Sequence, residues 1–196
     1  MRLTMAFTTA LFCLSADSSV LEAKEAQTIT ISRISAKKYG DKPFAVKAVS
    51  SSKLPVSIFV NGPASIDKKG TITIKGAGKV RVFAIQMGDD RYASAKPGMV
   101  TLDVAKAELL VKAENQQMNK GDATPDLKVT YKGFVSGESV KNLSKPATAS
   151  VVETGNGKRK RYKIVPSGSE SKNYNFKYVS ADLKVINKKK SFFGRN

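Results

Sequence analysis

Histidine and tryptophan are absent from the 196 residues, and cysteine occurs once, at Cys13. Without an imidazole the chain lacks the side chain that titrates near neutral pH, the commonest general base for a serine or cysteine nucleophile, and the commonest nitrogen ligand for zinc. What remains for catalysis is carboxylate chemistry, and acids are scarce: 16 Asp and Glu against 34 Lys and Arg, a net charge of +18. Most of them sit in turn-forming stretches or beside lysines, as Asp41, Asp67, Asp122 and Glu138 do. A glycosidase pair needs two carboxyls facing each other at roughly 5–9.5 Å, and nothing in the spacing argues for one. No enzymatic activity, cofactor or metal is expected. Beyond the first 18 residues no apolar run approaches the ~18 residues of a membrane-spanning helix, and helix signals are nearly missing.

Residues 1–18 have the form of a secretion signal, with Arg2 as the charged start, an apolar run from Leu3 to Leu14, and Ala16-Asp17-Ser18 as a small-x-small site. Its removal leaves a thiol-free chain whose modules depend on their cores alone. Lipidation at Cys13 is the alternative, against which the bulky Phe12 counts. The expectation is a secreted or cell-surface protein.

What is abundant is alternation. In Thr71-Ile72-Thr73-Ile74-Lys75 and Lys79-Val80-Arg81-Val82-Phe83-Ala84, apolar and polar residues alternate with period two, so each strand has a buried and a wet face and an antiparallel sheet is expected. Gly76-Ala77-Gly78 between them reads as a hairpin turn, and Asn61-Gly62-Pro63 as another chain reversal. Further strands are expected near Thr28 to Ile34, Phe44 to Val49, Pro55 to Val60 and Met99 to Val104. After Ala105-Lys106-Ala107, too short for a flexible tether, the pattern resumes in Glu108 to Glu114, Leu127 to Phe134, Thr148 to Glu153, Lys158 to Val165 and a final unit from Asn173 to Ile186. Tyr174, Phe176 and Tyr178 share one face of that unit and are expected in the core. Residues 188–196 form a basic tail.

These residues carry a resemblance. The order Tyr39-Gly40-Asp41, Pro43-Phe44, Leu54-Pro55-Val56, Gly62-Pro63-Ala64, Thr71 to Ile74, and Gly88 to Tyr92 resembles Ig-like repeat modules of bacterial surface proteins and adhesins. Ala107 to Ser139 and Ser171 to Asn187 are similar to the opening and closing strands of an MBG domain, although Met118-Asn119-Lys120 stands where a tyrosine usually precedes Gly-Asp. The resemblance implies an all-β chain of two tandem Ig-like antiparallel β-sandwich modules, residues 28–104 and 107–187, with a structural or adhesive role and no enzymatic activity.

Two clusters bear on ligands. The densest charge run, Lys158-Arg159-Lys160-Arg161 with Lys163, is either a clamp for an anionic glycan, lipopolysaccharide or nucleic acid, or a solvated hairpin tip. Strand alternation puts Lys158, Lys160 and Tyr162 on one side and Arg159, Arg161 and Lys163 on the other. No nucleic-acid reader motif accompanies the run. Asp89-Asp90 beside Arg91 could help ligate calcium, but reads more readily as a turn in which the aspartates cap backbone N–H groups and pair with Arg91. Tyr39, Tyr92 and Tyr131 are the rings available for stacking on a sugar. The partner itself is not named by the residues.

Overall fold

A computed structural model describes residues 23–155 and 160–187; the segment expected to be a secretion signal, with Cys13, and the basic tail lie outside the described residues. The chain is all-β. Its first half carries β1 (Ile29–Ile31), β2 (Lys37–Lys38), β3 (Phe44–Ala45), β4 (Ala48–Ser50), β5 (Ser57–Asn61), β6 (Ala64–Ile66), β7 (Thr71–Ile74), β8 (Gly78–Ile85) and β9 (Gly98–Ala105). The second carries β10 (Ala107–Ala113), β11 (Gln116–Asn119), β12 (Val129–Lys132), β13 (Thr148–Thr154), β14 (Arg161–Ser167), β15 (Tyr174–Val179) and β16 (Ala181–Ile186), with one short 3-10 turn at Val140–Asn142.

In the first half, a sheet ordered β2-β9-β8-β5 faces a sheet ordered β3-β7-β6, and β1 pairs with β4 alongside. The alternation in β8 does what it predicts: Val80, Val82 and Ala84 are buried while Lys79 and Arg81 are exposed. The expected hairpin between Thr71–Lys75 and Lys79–Ala84 does not form. β7 pairs with β3 and β6, and β8 with β5 and β9, so Gly76 to Gly78 carries the chain from one sheet to the other. The physical reason is that both strands present apolar faces to the same core, Ile72 and Ile74 from one side and Val80 and Val82 from the other. Two glycines permit such a crossing as readily as a tight turn. Asn61-Gly62-Pro63 likewise moves the chain between sheets, with Gly62 at φ +110°.

The second half repeats the plan, with sheets ordered β12-β10-β15 and β11-β16-β14-β13. Most ladders are antiparallel, but β2–β9, β10–β15 and β11–β16 are parallel. The final unit is not one strand. Ser180 separates β15 from β16, which belong to different sheets, and burial along the aromatic stripe is graded: Tyr174 is buried, Phe176 half-buried and Tyr178 exposed. The stripe runs off the end of the core, so only its first member is fully covered.

A single apolar cluster crosses the junction. Val80, Val82, Leu102 and Val104 from the first half pack with Ala107, Leu109, Leu143 and Tyr174 from the second. β10 then leads into a smaller cluster of Ala113, Ile164, Ala181 and Leu183. Only Lys106 separates β9 from β10, so the chain enters the second half with no slack. At the opposite end, buried Gln27 secures the start of the fold. Its Nε2 donates to Gln86 Oε1 and to the Ala93 carbonyl, both at 2.6 Å, and its Oε1 accepts from the hydroxyls of Ser50 and Ser52 at 2.7 and 2.6 Å. Each polar atom of the amide is used, which is what its burial requires.

Candidate functional site

Lys158 and Arg159 lie outside the described residues. Of the other three members of the basic run, Lys160 pairs with Glu153 at 3.0 Å, Lys163 approaches Asp182 at 3.8 Å, and Arg161 is exposed without an ion-pair partner among the described residues. The Glu153 hydrogen bond, and then its charge, hold the Lys160 ammonium above its usual pKa. Strand register puts Arg161 beside Thr154 and Lys163 beside Val152, on the outward face that includes Asp182 and Lys184. Tyr162 turns inward to the smaller cluster, so the side it shares with Lys160 is the one that meets the core. A shallow groove of about 450 Å³ runs over Lys160, Arg161, Asp182 and Lys184. The described cations are thus interleaved with acids instead of forming a uniform clamp.

The Asp89 loop is a turn. Asp89 Oδ1 accepts from the backbone N–H groups of Arg91 and Tyr92 at 3.0 and 2.7 Å, while Arg91 pairs with Glu25 at 3.0 Å instead of with the neighbouring aspartates. No group of three or more His, Cys, Asp or Glu able to hold a metal ion occurs among the described residues. Of the three tyrosines considered for stacking, Tyr39 is buried and Tyr92 and Tyr131 are half-buried. The Tyr131 hydroxyl accepts from the Ala147 N–H at 2.7 Å.

The most constrained polar site is one that local sequence patterns do not reveal. At the junction, Glu138 accepts hydrogen bonds from two buried tyrosine hydroxyls: Tyr39 donates to one carboxylate oxygen at 2.7 Å and Tyr174 to the other. The Tyr174 hydroxyl oxygen also accepts from the Val135 N–H at 2.9 Å. The rings of Tyr39 and Tyr174 meet edge to face with centroids 5.8 Å apart, and Phe134 meets Tyr174 in the same manner at 5.6 Å. Gly40 touches Val135 so closely that a Cβ there would overlap its side chain. Asn173 Oδ1 accepts from the Ala77 N–H at 3.0 Å, adding a second polar tie between the halves. The Tyr39-Gly40 pair therefore marks a docking point for the loop around residues 134–138, and the only sequence signal for it is the pair itself.

Burial, and then the Glu138 hydrogen bond and charge, push the Tyr39 hydroxyl from its ordinary 10.0 up to about 12; Tyr174 is raised by the same causes. A raised pKa means that the folded protein holds this proton more tightly than the unfolded chain does. The corresponding stability is fully present below pH 10 and is lost as pH rises from 10 to 12. Denaturation at graded alkaline pH should show this loss, and Tyr39→Phe should reduce the slope in that window. An unchanged slope in the variant would disprove the assignment.

Exposed apolar side chains concentrate elsewhere. On the outer face of the β2-β9-β8-β5 sheet, Phe59, Phe83 and Met99 lie abreast across three strands, with Phe59 53% and Met99 58% exposed. No helix among the described residues is long and apolar enough to cross a membrane.

Residues 109–184 match the family model of the MBG domain (YGX type). That stretch begins within β10 and ends within β16, and so takes in both sheets of the second half. No curated protein matches the sequence. Among solved structures, the chain is similar to the crystal structure of Drosophila N-cadherin EC1-4, at 12% identity and a TM-score of 0.23, with 78% of this chain and 46% of that chain covered. The chain thus spans about half the length of that structure.

Proposed function

We propose that this chain is a non-enzymatic structural module of a secreted or cell-surface bacterial protein, in which the two β units form one rigid body with an adhesive role. The observation that carries the reading is the shared core at the junction, in which Leu109 and Tyr174 pack with Val80, Val82 and Leu102 and Glu138 links Tyr39 to Tyr174. Bending such a joint would expose apolar surface at roughly 25 cal/mol per Å² and break charge-assisted hydrogen bonds, so the joint resists it. A spacer in a surface protein needs this stiffness, because it must hold a binding face at a set distance and angle. The match of residues 109–184 to the MBG domain, together with the resemblance of the first half to repeats of bacterial surface proteins, supports the surface setting.

The test is calorimetric. The two halves should unfold in one transition, with equal calorimetric and van't Hoff enthalpies. Small-angle scattering should fit a single conformer instead of an ensemble of hinged ones. Two separate transitions, or scattering that requires a free hinge, would overturn the rigid-body reading. Surface labelling of intact expressing cells tests the location independently.

A further inference from the structure

The end strand of a sheet presents unpaired backbone N–H and C=O groups, and proteins that must avoid adding strands blunt such edges with lysine, proline or brevity. Several edges here are treated in that way. β2 consists of Lys37 and Lys38, β3 and β6 are two and three residues long, β12 ends in Lys132, and β15 carries Lys177. The uncharged edges β5 and β11 are five and four residues long. Of the edges without lysine, arginine or proline, β13 is the longest. It ends its sheet and is seven residues long, and Thr148-Ala149-Ser150-Val151-Val152-Glu153-Thr154 contains no lysine, arginine, proline or glycine, in a chain with 34 Lys and Arg. Four of the seven are β-branched, which suits them to a further strand pairing.

Beside this edge stand Arg161, without an ion-pair partner among the described residues, and Lys163, whose neighbour Asp182 lies 3.8 Å away on the side remote from β13. Ala149 and Val151 turn into the smaller cluster, which leaves Thr148, Ser150 and Val152 outward. Their cross-strand neighbours on the same face include Lys163, opposite Val152, and Arg161, opposite Thr154. A strand added along β13 would lie about 4.8 Å from it and about 9.6 Å from β14. Lysine or arginine on β14 and glutamate on the added strand can bridge the second distance by their combined lengths. A second copy of this chain would bring together two bodies of net charge +18, with their Arg161 and Lys163 side chains on adjoining faces. An acidic segment meets the same edge with attraction.

We propose that β13 is a strand-addition edge for an extended acidic segment of a partner protein, whose backbone pairs with Thr148–Thr154 while alternate carboxylates face Arg161 and Lys163. This goes beyond the rigid-module reading, since a spacer needs no open edge, and the calorimetric test above stands whether or not the edge is used.

The probe is a synthetic capped heptapeptide of sequence TEVEVET, titrated into the full chain at low and at physiological salt, with TKVKVKT and TQVQVQT as counterparts. Amide shifts and slowed hydrogen exchange should concentrate at residues 148–154. Two N-methylated forms of the acidic peptide, methylated at alternate residues in the two possible phases, keep its carboxylates and remove backbone donors, and at least one of them should bind about tenfold or more weakly than TEVEVET itself. The double variant Arg161→Glu, Lys163→Glu should weaken the acidic peptide by a similar factor and leave the glutamine peptide unaffected, with thermal unfolding confirming that the variant is folded. Equal binding of acidic and lysine peptides would overturn the charge assignment. Loss of binding in the double variant with no effect of N-methylation would replace strand addition with a simple anion patch. Sedimentation that shows a dimer joined through β13 would make a second copy the occupant and overturn the acidic partner.

Discussion

Tyr174→Ala should cost the protein about 3–5 kcal/mol of stability, the range for removing a buried aromatic ring from a packed core. The ring is 2% exposed, meets Tyr39 and Phe134 edge to face, and pairs through its strand with Ala107 at the start of β10. Its hydroxyl donates to Glu138 and accepts from the Val135 N–H, so truncation also leaves a carboxylate and a backbone donor in need of new partners. Because a domain is stable by only about 5–15 kcal/mol in total, the urea midpoint should fall steeply. Both halves should lose stability together, since the ring belongs to the cluster they share. Tyr174→Phe separates the two contributions: it keeps the ring and removes the hydroxyl, and should cost only about 1–2 kcal/mol. A similar loss in both variants would mean that the hydrogen bonds, and not ring packing, hold the junction. A loss below about 1 kcal/mol in the alanine variant would remove Tyr174 from the centre of the account.

Gly62→Ala should cost about 2–4 kcal/mol, a large loss for the addition of one methyl group. Gly62 has φ +110°, a conformation L residues rarely adopt, and its Cα side lies against the backbone of β8, where a Cβ would fall on the Lys79 carbonyl oxygen and within 3.2 Å of Val80 Cα. The neighbour that would have to move is the backbone at Lys79 and Val80, paired with Asp103 and Leu102 of β9 and adjoining the ladder with β5 that begins at Arg81, so it has little freedom to yield. Gly70→Ala is the matched control. It has φ +79° with nothing within 4 Å of the added methyl, and should cost about 1–2 kcal/mol from backbone strain alone. Thermal or urea unfolding of the pair measures the difference. Equal losses would show that the close approach at Gly62 can relax and is not part of what holds the first sandwich together.

Much of the local structure follows from short-range chemistry. A strand's side chains alternate by two because its backbone is pleated, and so the inward faces of β7 and β8 can be read from Ile72, Ile74, Val80 and Val82 and their polar neighbours. The Asp89 turn is equally local, since an aspartate reaches N–H groups two and three residues ahead. The same local rules explain the misreadings. Alternation is the same for strands that pair with each other and for strands that face each other across a core, and for that reason β7 and β8 read as a hairpin. An aromatic stripe likewise has no mark of where the opposing sheet ends, which left Tyr178 expected inside and found outside.

By itself, then, the amino-acid order determined that this chain is built of strands, which side chains face inward along most of them, and that its surface is strongly basic, because each of these depends on residues within a few positions of one another. Only the tertiary structure decided which strands pair, that Lys160 and Lys163 meet Glu153 and Asp182, that β13 ends its sheet among the described residues, and that Glu138 joins Tyr39 and Tyr174. Tyr39 and Glu138 are 99 positions apart, and their encounter depends on how whole sheets settle against a common core, a property of packing that no local pattern encodes.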